Sequence, residues 1–536
     1  MGRFMITTPI YYVNAPMHLG HAYCTIACDA VARFRRLATD DVFFLTGLDE
    51  HGGNIEEKAV ENGVTPQEWV DRIAGIDRGI LADLAISNDD FIRTTEDRHR
   101  VATEEFWRKV AGGTAPDGQS NIYVGEYEGW YCRSCEAYYT ESELDEGKCP
   151  DHKIPVEKVK EETCFFRLSS WAGKLVELFD RVPDFVLPDV RFNEVKGLLK
   201  EGLRDVSITR TRIKWGFPAP DHPGHVIYVW FDALINYLTA IGYPDPKFRD
   251  RWERGEVIHV IGKEIMRFHA LLWPAMLMAA DLPLPRRIFA HGWWTVNGEK
   301  MSKTRGTGLD PREFAKKYSL DAVRYFLLAE MPFGHDGDFS ERRLVERYNS
   351  DLANDFGNLA HRTISMAFRY MGGKVKRPAG PCPWEAFIRG PGGWPDGDHA
   401  GLYAGIKSDQ GLSFVQSAFY RFAYGPLRIP QHQDALSGIW RVIKHGNKYL
   451  DTEAPWNKPP ERQEEILGQV LLLLEAASWP LLAFIPDAAL KLRRQLGLAD
   501  ELPPKPVRRA PLPEVFGLSH GDPLFPRIDT KKKEKK

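Results

Sequence analysis

The first fifty residues alternate apolar strand-like segments with an amphipathic helix. Residues 4–13, FMITTPIYYV, are rich in β-branched and aromatic residues and predict a buried first strand. Residues 22–38 carry apolar side chains at helical spacing, and DVFFLTGLD (41–49) predicts a second strand that ends in glycine and acidic residues. Strands that alternate with helices predict βαβ units and a parallel sheet, with ligands at the carboxyl ends of the strands.

This alternation is interrupted and then resumes. Turns, a cysteine cluster and short strands occupy residues from about 119 to 225, and strand–helix segments return at HVIYVWFDALINYL, EVIHVIGKEIMRFHALLWPAMLMAA and RRIFAHGWWTVNG. After about residue 341 the strands stop, and two strongly amphipathic or apolar helices follow at 344–368 and 464–485. The first places its apolar residues on one face: Val345, Tyr348, Leu352, Phe356 and Leu359.

The pattern predicts an α/β protein with a Rossmann-like parallel sheet split by an insertion and followed by an α-helical bundle. We expect the first half of the sheet domain at 1–118, the insertion at 119–225 and the second half at 226–340. The helical domain is expected at 341–510, with a C-terminal tail at 511–536.

Composition adds limits on location and partners. The chain of 536 residues is long enough for about three domains, and its net charge of −3 means that a polyanionic partner would be held by local basic patches. It has no run of about 18 apolar residues and no signal-peptide pattern, which predicts a cytoplasmic protein without a membrane segment. The lysine-rich end DTKKKEKK is expected to be a solvated tail.

Four residues of the insertion have the spacing of a metal site. Cys132 and Cys135 form one pair, and Cys149 and His152 form a second pair after thirteen intervening residues. Three thiolates and one imidazole would fill a tetrahedral Zn²⁺ sphere with no open position, so we expect a structural zinc ion rather than a catalytic one. The remaining cysteines lack such spacing and are interpreted as packing residues: Cys24, Cys28, Cys164 and Cys382.

Two histidines stand where the first strand turns into the first helix. His18 and His21 flank Leu-Gly, and residues three apart share one face of a helix, where both rings could donate to phosphate oxygens. Gly20 would allow a close approach, and the helix N-terminus favours an anion. Taken alone, H-x-G-H is only suggestive, and ordinary surface or core histidines are the alternative.

A lysine-bearing loop is the second candidate. NGEKMSKTRG, residues 297–306, sets Lys300 and Lys303 between glycines, and could bring ammonium groups to charge that develops during phosphoryl or nucleotidyl transfer. A solvated lysine loop is the alternative. Together the two motifs resemble the H-I-G-H and K-M-S-K-S signatures of class I aminoacyl-tRNA synthetases.

Within that class the chain resembles the methionyl-tRNA synthetase family over nearly its whole length. The matching segments include TTPIYYVN, FLTGLDEHG, EGWYCRSCEAYYT, YVWFDALINY, HVIGKEIMRFHALLWPA, VNGEKMSKT and YLDTEAPW. The resemblance implies a ligase that activates methionine with ATP and Mg²⁺ to methionyl-adenylate and transfers it to the 3′ end of initiator and elongator methionine tRNAs.

The resemblance also assigns residues to the two small substrates. It implies that His18, His21, Lys300 and Lys303 act on the phosphates, with Gly20, Gly262, Glu264 and Thr304 also binding ATP. It implies a methionine pocket in which an acid meets the substrate ammonium and aromatic rings enclose the thioether: Asp49, Tyr12, Trp230, Tyr237 and His291.

Three positions depart from the family pattern. The family usually has Thr where Leu48 stands and Asp where Glu264 stands. The extra methylene of Glu264 would alter its geometry toward the ribose of ATP. Thr304 replaces the final Ser of the lysine loop and keeps the hydroxyl.

In the helical domain the resemblance points to Asn358, Arg362 and Trp456 as anticodon readers. An indole that stacks on an unpaired base, with Asn and Arg at base edges, suits single-stranded RNA. A helix-surface pair and a packing Trp are the alternatives. Another class I synthetase and a catalytically silent tRNA-binding paralogue are the alternative functions for the chain, which we expect to be a monomer because it ends before the C-terminal module that dimerises some relatives.

One segment fits neither the pattern nor the resemblance. From about residue 376 to 432, Gly, Pro and Trp interrupt every helical window, although this part of a helical domain should supply a helix. We expect poor packing and a missing or weak helix there, from either a lineage-specific insertion or a shifted reading frame, of which the second is favoured.

Overall fold

A computed structural model describes most of the chain, at residues 2–38, 40–132, 137–139, 141–150, 153–296, 299–300, 308–378, 430–498 and 513–529. The chain divides into two compact units. The first contains Met1–Cys28, Asp41–Trp293 and Met301–Leu309, and the second contains Asp29–Asp40, Trp294–Lys300 and Asp310–Lys536. The predicted domain boundaries remain predictions.

The first unit is built on a six-stranded sheet in the order β3-β2-β1-β11-β12-β7, in which every pair of neighbours is parallel. The predicted parallel sheet is therefore confirmed. Helices lie between successive strands of this sheet along the chain, as a βαβ arrangement requires. The strands are β1 (Arg3–Tyr12), β2 (Asp41–Asp49), β3 (Asp90–Arg93), β7 (Val186–Leu187), β11 (Glu256–Gly262) and β12 (Arg287–His291).

Some helices of this unit bury one face, whereas Val229–Thr239 is buried on nearly all sides. α3 begins with a capping box, in which the Thr65 side chain accepts from the Glu68 amide and Glu68 accepts from the Thr65 amide. The helices are α1 (Leu19–Leu37, which continues into the second unit), α2 (Gly53–Glu61), α3 (Pro66–Asp83), α4 (Asp97–Ala111), α5 (Ala172–Arg181), α6 (Asp189–Glu201), α7 (Val229–Thr239), α8 (Phe248–Trp252) and α9 (Trp273–Ala279).

The segment predicted as an insertion carries a separate antiparallel sheet in the order β5-β4-β6-β8. Short strands were predicted in this region, but two of its strands have 11 and 10 residues, and their antiparallel pairing explains why the βαβ pattern stops here. Its strands are β4 (Ile122–Cys132), β5 (Ala137–Tyr139), β6 (Glu157–Phe166) and β8 (Val206–Ser207), and a further pair consists of β9 (Thr209–Arg210) and β10 (Val226–Ile227).

The second unit is largely helical. Tyr348–Gly357 is π-helical, and its buried residues Tyr348, Leu352 and Phe356 recur at every fourth position. The helices are α10 (Pro311–Tyr318), α11 (Leu320–Ala329), α12 (Glu341–Arg347), α13 (Asn358–Met371), α14 (His432–Glu453), α15 (Pro460–Phe484) and α16 (Pro486–Gln495). α15 packs against α13, α14 and α16, and its apolar residues form the core of this unit.

Among the described helices, α15 is long and apolar enough to cross a membrane by length and composition, but 89% of its most apolar window is buried inside the molecule.

Short strands complete the unit. They are β13 (Trp294–Val296), β14 (Glu299–Lys300), β15 (Gly337–Asp338), β16 (Lys374–Lys376) and β17 (Val515–Gly517).

The segment predicted as a tail contributes one of these strands. β17 pairs antiparallel with β16, and Phe516 is completely buried. The irregular segment predicted at 376–432 lies almost entirely outside the described residues, at 379–429, so its expected poor packing stays a prediction.

Candidate active site

The topology brings the ends of four strands to one edge of the parallel sheet. β1 and β11 are neighbours at the centre, where the strand order changes direction, and this is where open α/β sheets form ligand crevices. β1 pairs with β2 so that Tyr12 lies opposite Asp49, and β11 pairs with β12 so that Gly262 lies opposite His291. Four predicted site residues are thus the last residues of their strands.

The turn that follows β1 places the two histidines of the HLGH motif together, as predicted. The His18 and His21 rings are stacked with centroids 3.9 Å apart. The His18 amide donates to His21 Nδ1 at 3.2 Å, and the Gly20 amide donates to His18 Nδ1 at 3.0 Å. Because each Nδ1 accepts, each neutral ring carries its hydrogen on Nε2, which suits donation to an anion.

Gly20 is needed for this arrangement. A Cβ at position 20 would lie 2.9 Å from Cε1 and 3.1 Å from Nδ1 of the His18 ring, which is too close for an ordinary contact. The preceding turn is also fixed, since the Met17 amide donates to Asp77 Oδ1 at 2.8 Å. The buried Asp77 was not identified from sequence, because it lies on α3 about sixty residues away and belongs to no motif.

The aromatic residues predicted for the methionine pocket lie among further rings. Trp230 is half-buried and stacks on Phe268 with centroids 4.0 Å apart and planes 7° from parallel. Tyr237 is fully buried, stacks on His259 at 4.0 Å, and its hydroxyl lies 2.8 Å from His269 Nε2.

His269 is held neutral by its surroundings. Burial lowers the pKa of its imidazole to about 4, although a bond from Nδ1–H to the Ile265 carbonyl at 3.1 Å opposes that shift. Since Nδ1 donates, Nε2 accepts the Tyr237 hydroxyl hydrogen. Sequence reasoning did not assign Phe268 or His269, although both lie in the quoted segment EVIHVIGKEIMRFHALLWPAMLMAA.

His291 has the opposite electrostatic setting. Its Nδ1–H donates to the Gly292 carbonyl at 2.8 Å, and the Tyr23 ring meets it edge-on at 5.6 Å. Burial alone would lower the pKa of His291, but the negative charge of the neighbouring Cys24 thiolate and the Gly292 carbonyl raise it, and His291 in turn helps to lower the pKa of Cys24. Cys24 was predicted as a packing residue. It is buried as expected and also interacts with His291.

Two of the three departures from the family pattern, Leu48 and Glu264, lie among the described residues. Leu48 is completely buried in β2 opposite Tyr11, a setting that suits an apolar side chain. Glu264 is exposed just after β11, and its Oε2 accepts from Trp293 Nε1 at 2.7 Å. Gly262 leaves room for this carboxylate, because a Cβ there would lie 2.4 Å from Glu264 Oε2.

The lysine motif is described only in part. Lys300 was predicted in a loop, but its backbone forms β14, in which Lys300 pairs antiparallel with Thr295 and Glu299 with Val296 of β13. The Lys300 side chain, Lys303 and Thr304 lie outside the described residues.

The predicted zinc ligands are also divided. Cys132 and Cys149 are both completely buried and belong to one small cluster with Tyr139. Cys149 Sγ lies 3.9 Å from the Tyr139 hydroxyl. Cys135 and His152 lie outside the described residues, and within the part of the chain that is described no group of three or more metal-binding side chains occurs.

The predicted anticodon residues lie in the second unit. Asn358 is the first residue of α13 and Arg362 follows one turn later, so they share a face as predicted. Arg362 Nη2 donates to Asp451 Oδ1 at 2.7 Å. Trp456 is 44% exposed, which disfavours the alternative that it is a packing residue.

Comparison with known proteins yields one family. The family profile described as tRNA synthetases class I (M) matches residues 4–364. The chain is 42% identical to a methionine–tRNA ligase of Caldanaerobacter subterraneus over 99% of this chain and 79% of that protein, and 42% identical to one of Thermotoga maritima over 99% and 81%. A Rickettsia bellii methionine–tRNA ligase is 41% identical over 93% of each chain.

Solved structures agree with these relatives. The fold is similar to that of Mycobacterium tuberculosis methionyl-tRNA synthetase in complex with methionyl-adenylate, with a TM-score of 0.84 and 37% identity over 98% of this chain and all of that one. The apo form of the same enzyme gives a TM-score of 0.78 and 34% identity over 99% of each chain.

Proposed function

The chain belongs to the methionyl-tRNA synthetase family of class I tRNA synthetases, and we propose that the strand-end edge of its parallel sheet is where this methionine–tRNA ligase activates methionine. The family joins methionine to tRNA at the expense of ATP. In the first step the methionine carboxylate attacks the α-phosphorus of ATP, the bond to the bridging oxygen breaks, and pyrophosphate leaves with the electron pair. In the second step a ribose hydroxyl of the tRNA attacks the adenylate carbonyl and AMP leaves.

One observation carries the assignment of the site. The stacked His18–His21 pair, Asp49, Gly262 and His291 all follow or end neighbouring parallel strands, so they converge on one crevice. His18 and His21 present Nε2–H donors at the N-terminus of α1, where charge on the triphosphate is stabilised as it develops. No protein nucleophile is needed, and positioning and electrostatics supply the acceleration.

The methionine pocket is the second part of the proposal. Asp49 would pair with the substrate ammonium, and Tyr12, Trp230 and Tyr237 would enclose the thioether, which is apolar and polarizable. His291 ends its strand opposite Gly262 at the same edge of the sheet, where it would form part of the pocket. Glu264 and Gly262 would bind the nucleoside of ATP, and Mg²⁺ would accompany its phosphates.

Pyrophosphate exchange with ATP and each amino acid in turn tests this function. We expect methionine to support exchange and the others to fail, and dominant exchange with a different amino acid would contradict the assignment. Asp49→Asn should raise the KM for methionine at least about tenfold, because a charge-assisted hydrogen bond is lost. Asp97→Asn, which changes an exposed carboxylate on α4, is the matched control.

Lys300, Lys303 and Thr304 are proposed to contact the phosphates on the basis of the family resemblance. Replacing both lysines by alanine should slow adenylate formation while methionine binding stays nearly intact, because the pocket is formed by other residues. If adenylate formation and methionine binding were lost to the same extent, the result would argue against this role.

The insertion is proposed to hold one structural Zn²⁺ ion through Cys132, Cys135, Cys149 and His152. The described half of this set fits the metal, since two thiols are buried in one small cluster. The backbone of Cys149 is also held by two hydrogen bonds, since its amide donates to the Ile154 carbonyl at 2.9 Å and its carbonyl accepts from the Lys153 amide at 2.8 Å. Zinc would hold Cys149 against the end of β4, because such a small cluster has little core of its own.

The helical unit is proposed to read the methionine anticodon through Asn358, Arg362 and Trp456. The exposed indole supports base stacking, and Arg362 and Asn358 lie on one face where they can reach base edges. Asp451 holds Arg362 in place on the surface through the 2.7 Å bond.

A further inference from the structure

A buried carboxylate lies between two histidines in the first unit. Asp232 on α7 is completely buried, and His51 Nδ1 donates to its Oδ2 at 2.6 Å. His99 on α4 is also completely buried, and its Nε2 lies 3.6 Å from Asp232 Oδ1. His99 is itself oriented by Thr239, whose hydroxyl lies 3.0 Å from Nδ1.

The charge at this position is maintained by the histidines. Burial alone would raise the pKa of Asp232, but the two imidazoles hold it below its ordinary value. A buried carboxylate without partners is costly, so the carboxylate and His51 favour one fixed geometry.

The residues joined by this contact lie next to the proposed methionine pocket. His51 follows Asp49 by two residues at the end of β2. Asp232 follows Trp230 by two residues, on the helix that also carries Tyr237. The His51–Asp232 bond therefore ties the strand end that presents the acid to the helix that presents the aromatic rings.

The strand end is held on its other side as well. Trp215 Nε1 donates to the Glu50 carbonyl at 2.5 Å, and the Gly52 amide donates to the Trp215 carbonyl at 3.1 Å. The side chain of Glu50 is buried against Arg93, whose Nε lies 2.7 Å away. These bonds hold the backbone on both sides of His51, and the contact with Asp232 Oδ2 holds its ring.

We propose that His51 and Asp232 are positioning residues that set the separation of Asp49 from Trp230 and thereby the affinity for methionine. This inference rests on the proposed pocket. A thioether offers little directional hydrogen bonding, so recognition depends on the shape of the pocket and on the ammonium contact. The affinity for methionine therefore falls steeply when one side of the pocket shifts. Neither His51 nor Asp232 needs to touch the substrate.

The first test separates the effects of variants on the two small substrates. In pyrophosphate exchange, His51→Ala should raise the KM for methionine about tenfold or more and change the KM for ATP and the saturated rate less than about threefold. His51→Asn retains a donor close to the Nδ1 position and should restore the KM for methionine to within about threefold of the parent. A purely structural residue would instead lower the fraction of active enzyme and the thermal midpoint without shifting this KM, and that result would overturn the proposal.

Thr103→Val is the matched control for a change in the buried polar interior. Thr103 lies on α4 one turn from His99 and is completely buried. We expect it to leave the KM for methionine unchanged. An increase equal to that of His51→Ala would show that any disturbance near α4 produces the effect, and would overturn the assignment to the pair.

The second test asks whether the two residues act as a unit. Asp232→Asn alone should raise the KM for methionine, and the double variant His51→Ala with Asp232→Asn should be no worse than the poorer single variant within about threefold. If the increases in KM of the two single variants multiplied in the double variant, the proposal that His51 and Asp232 act as a unit would be overturned.

If Asp49→Asn leaves the KM for methionine unchanged, the pocket assignment fails. If it raises that KM while His51→Ala does not, only the positioning inference fails.

Discussion

Asp321 on α11 has a carboxyl group whose environment disfavours ionisation. It is almost completely buried, Oδ2 accepts from the Ala488 amide at 2.6 Å, and Oδ1 has no hydrogen-bond partner among the described residues. Burial raises its pKa to about 7, with a contribution from Asp487, although Arg324 one turn away opposes the rise. Arg324 itself forms an ion pair with Asp29, in which Nη2 lies 2.7 Å from Oδ2.

We expect Asp321 to make stability depend on pH. The folded state binds the proton more tightly than the unfolded chain, so its contribution is present below about pH 4 and is lost as pH rises to about 7. Asp321→Asn cannot ionise, and its amide oxygen can still accept from Ala488. The variant should therefore be more stable than the parent at pH 8, by at most about 4 kcal/mol, with the difference shrinking toward pH 4.

Urea unfolding at several pH values between 4 and 8 measures this difference. Asp180→Asn, an exposed substitution on α5, is the control and should show no such trend. A difference between Asp321→Asn and the parent that is constant with pH would contradict the raised pKa.

Trp456 and Trp440 provide a contrast between an exposed and a buried indole in the same unit. Trp456→Ala should raise the KM for tRNA between about fivefold and about a hundredfold, because stacking on a base is lost, while pyrophosphate exchange stays unchanged. Trp440 is buried, and its Nε1 donates to the Asp351 carbonyl at 3.2 Å, so Trp440→Ala should instead destabilise the helical unit by about 3–5 kcal/mol. A fall in pyrophosphate exchange with Trp456→Ala would return Trp456 to a packing role.

At the scale of elements, we expect the small cluster of Cys132, Tyr139 and Cys149 to depend most on a bound ion. Cys149→Ser should reduce the zinc content from about one ion per chain to nearly none and speed proteolysis of the insertion, because the local cluster is too small to fold firmly without metal. Atomic absorption and limited proteolysis measure both effects. Cys164→Ser, the same change at a buried thiol on β6, should keep the zinc, and unchanged metal in Cys149→Ser would reject the ligand set.

The elements that could be predicted are those whose own sequence carries a period. Local apolar patterning predicts four such elements: β1, β2, α1 and α15. The prediction succeeds because the apolar positions of each element are buried in the fold. β17 could not be predicted, since three residues in a polar, proline-rich end have no period and become a strand only by pairing with β16.

The same distinction applies to site residues. The HLGH pair was recognisable because its two histidines are neighbours in sequence and stack in the fold. His51 with Asp232, and Tyr237 with His269, were not, because each contact joins distant segments and depends on how the sheet and helices assemble. The motifs identify residues that we propose to face the substrates, and the structure identifies residues that we propose to position them.

For the whole molecule, the parallel sheet explains why one crevice can gather residues from positions 12 to 291. Parallel strands expose their carboxyl ends at one edge, so Tyr12, Asp49, Gly262 and His291 come together although hundreds of residues separate them. All four belong to the first unit, whereas Asn358, Arg362 and Trp456 belong to the second. The residues that we propose for methionine activation and for anticodon reading therefore lie in different units of one chain.

We expect the chain to be a monomer in solution. A stable homodimer buries about 1,600 Å² or more around an apolar centre. Among the described residues, large exposed apolar side chains are scattered, and no element presents more than two of them, Val190 and Leu198 on α6 being the single pair within one element. Light scattering across a range of concentrations should therefore give a mass near 61.1 kDa. A stable species of twice that mass would contradict the expectation, and Val190→Lys with Leu198→Lys would then show whether α6 forms the contact.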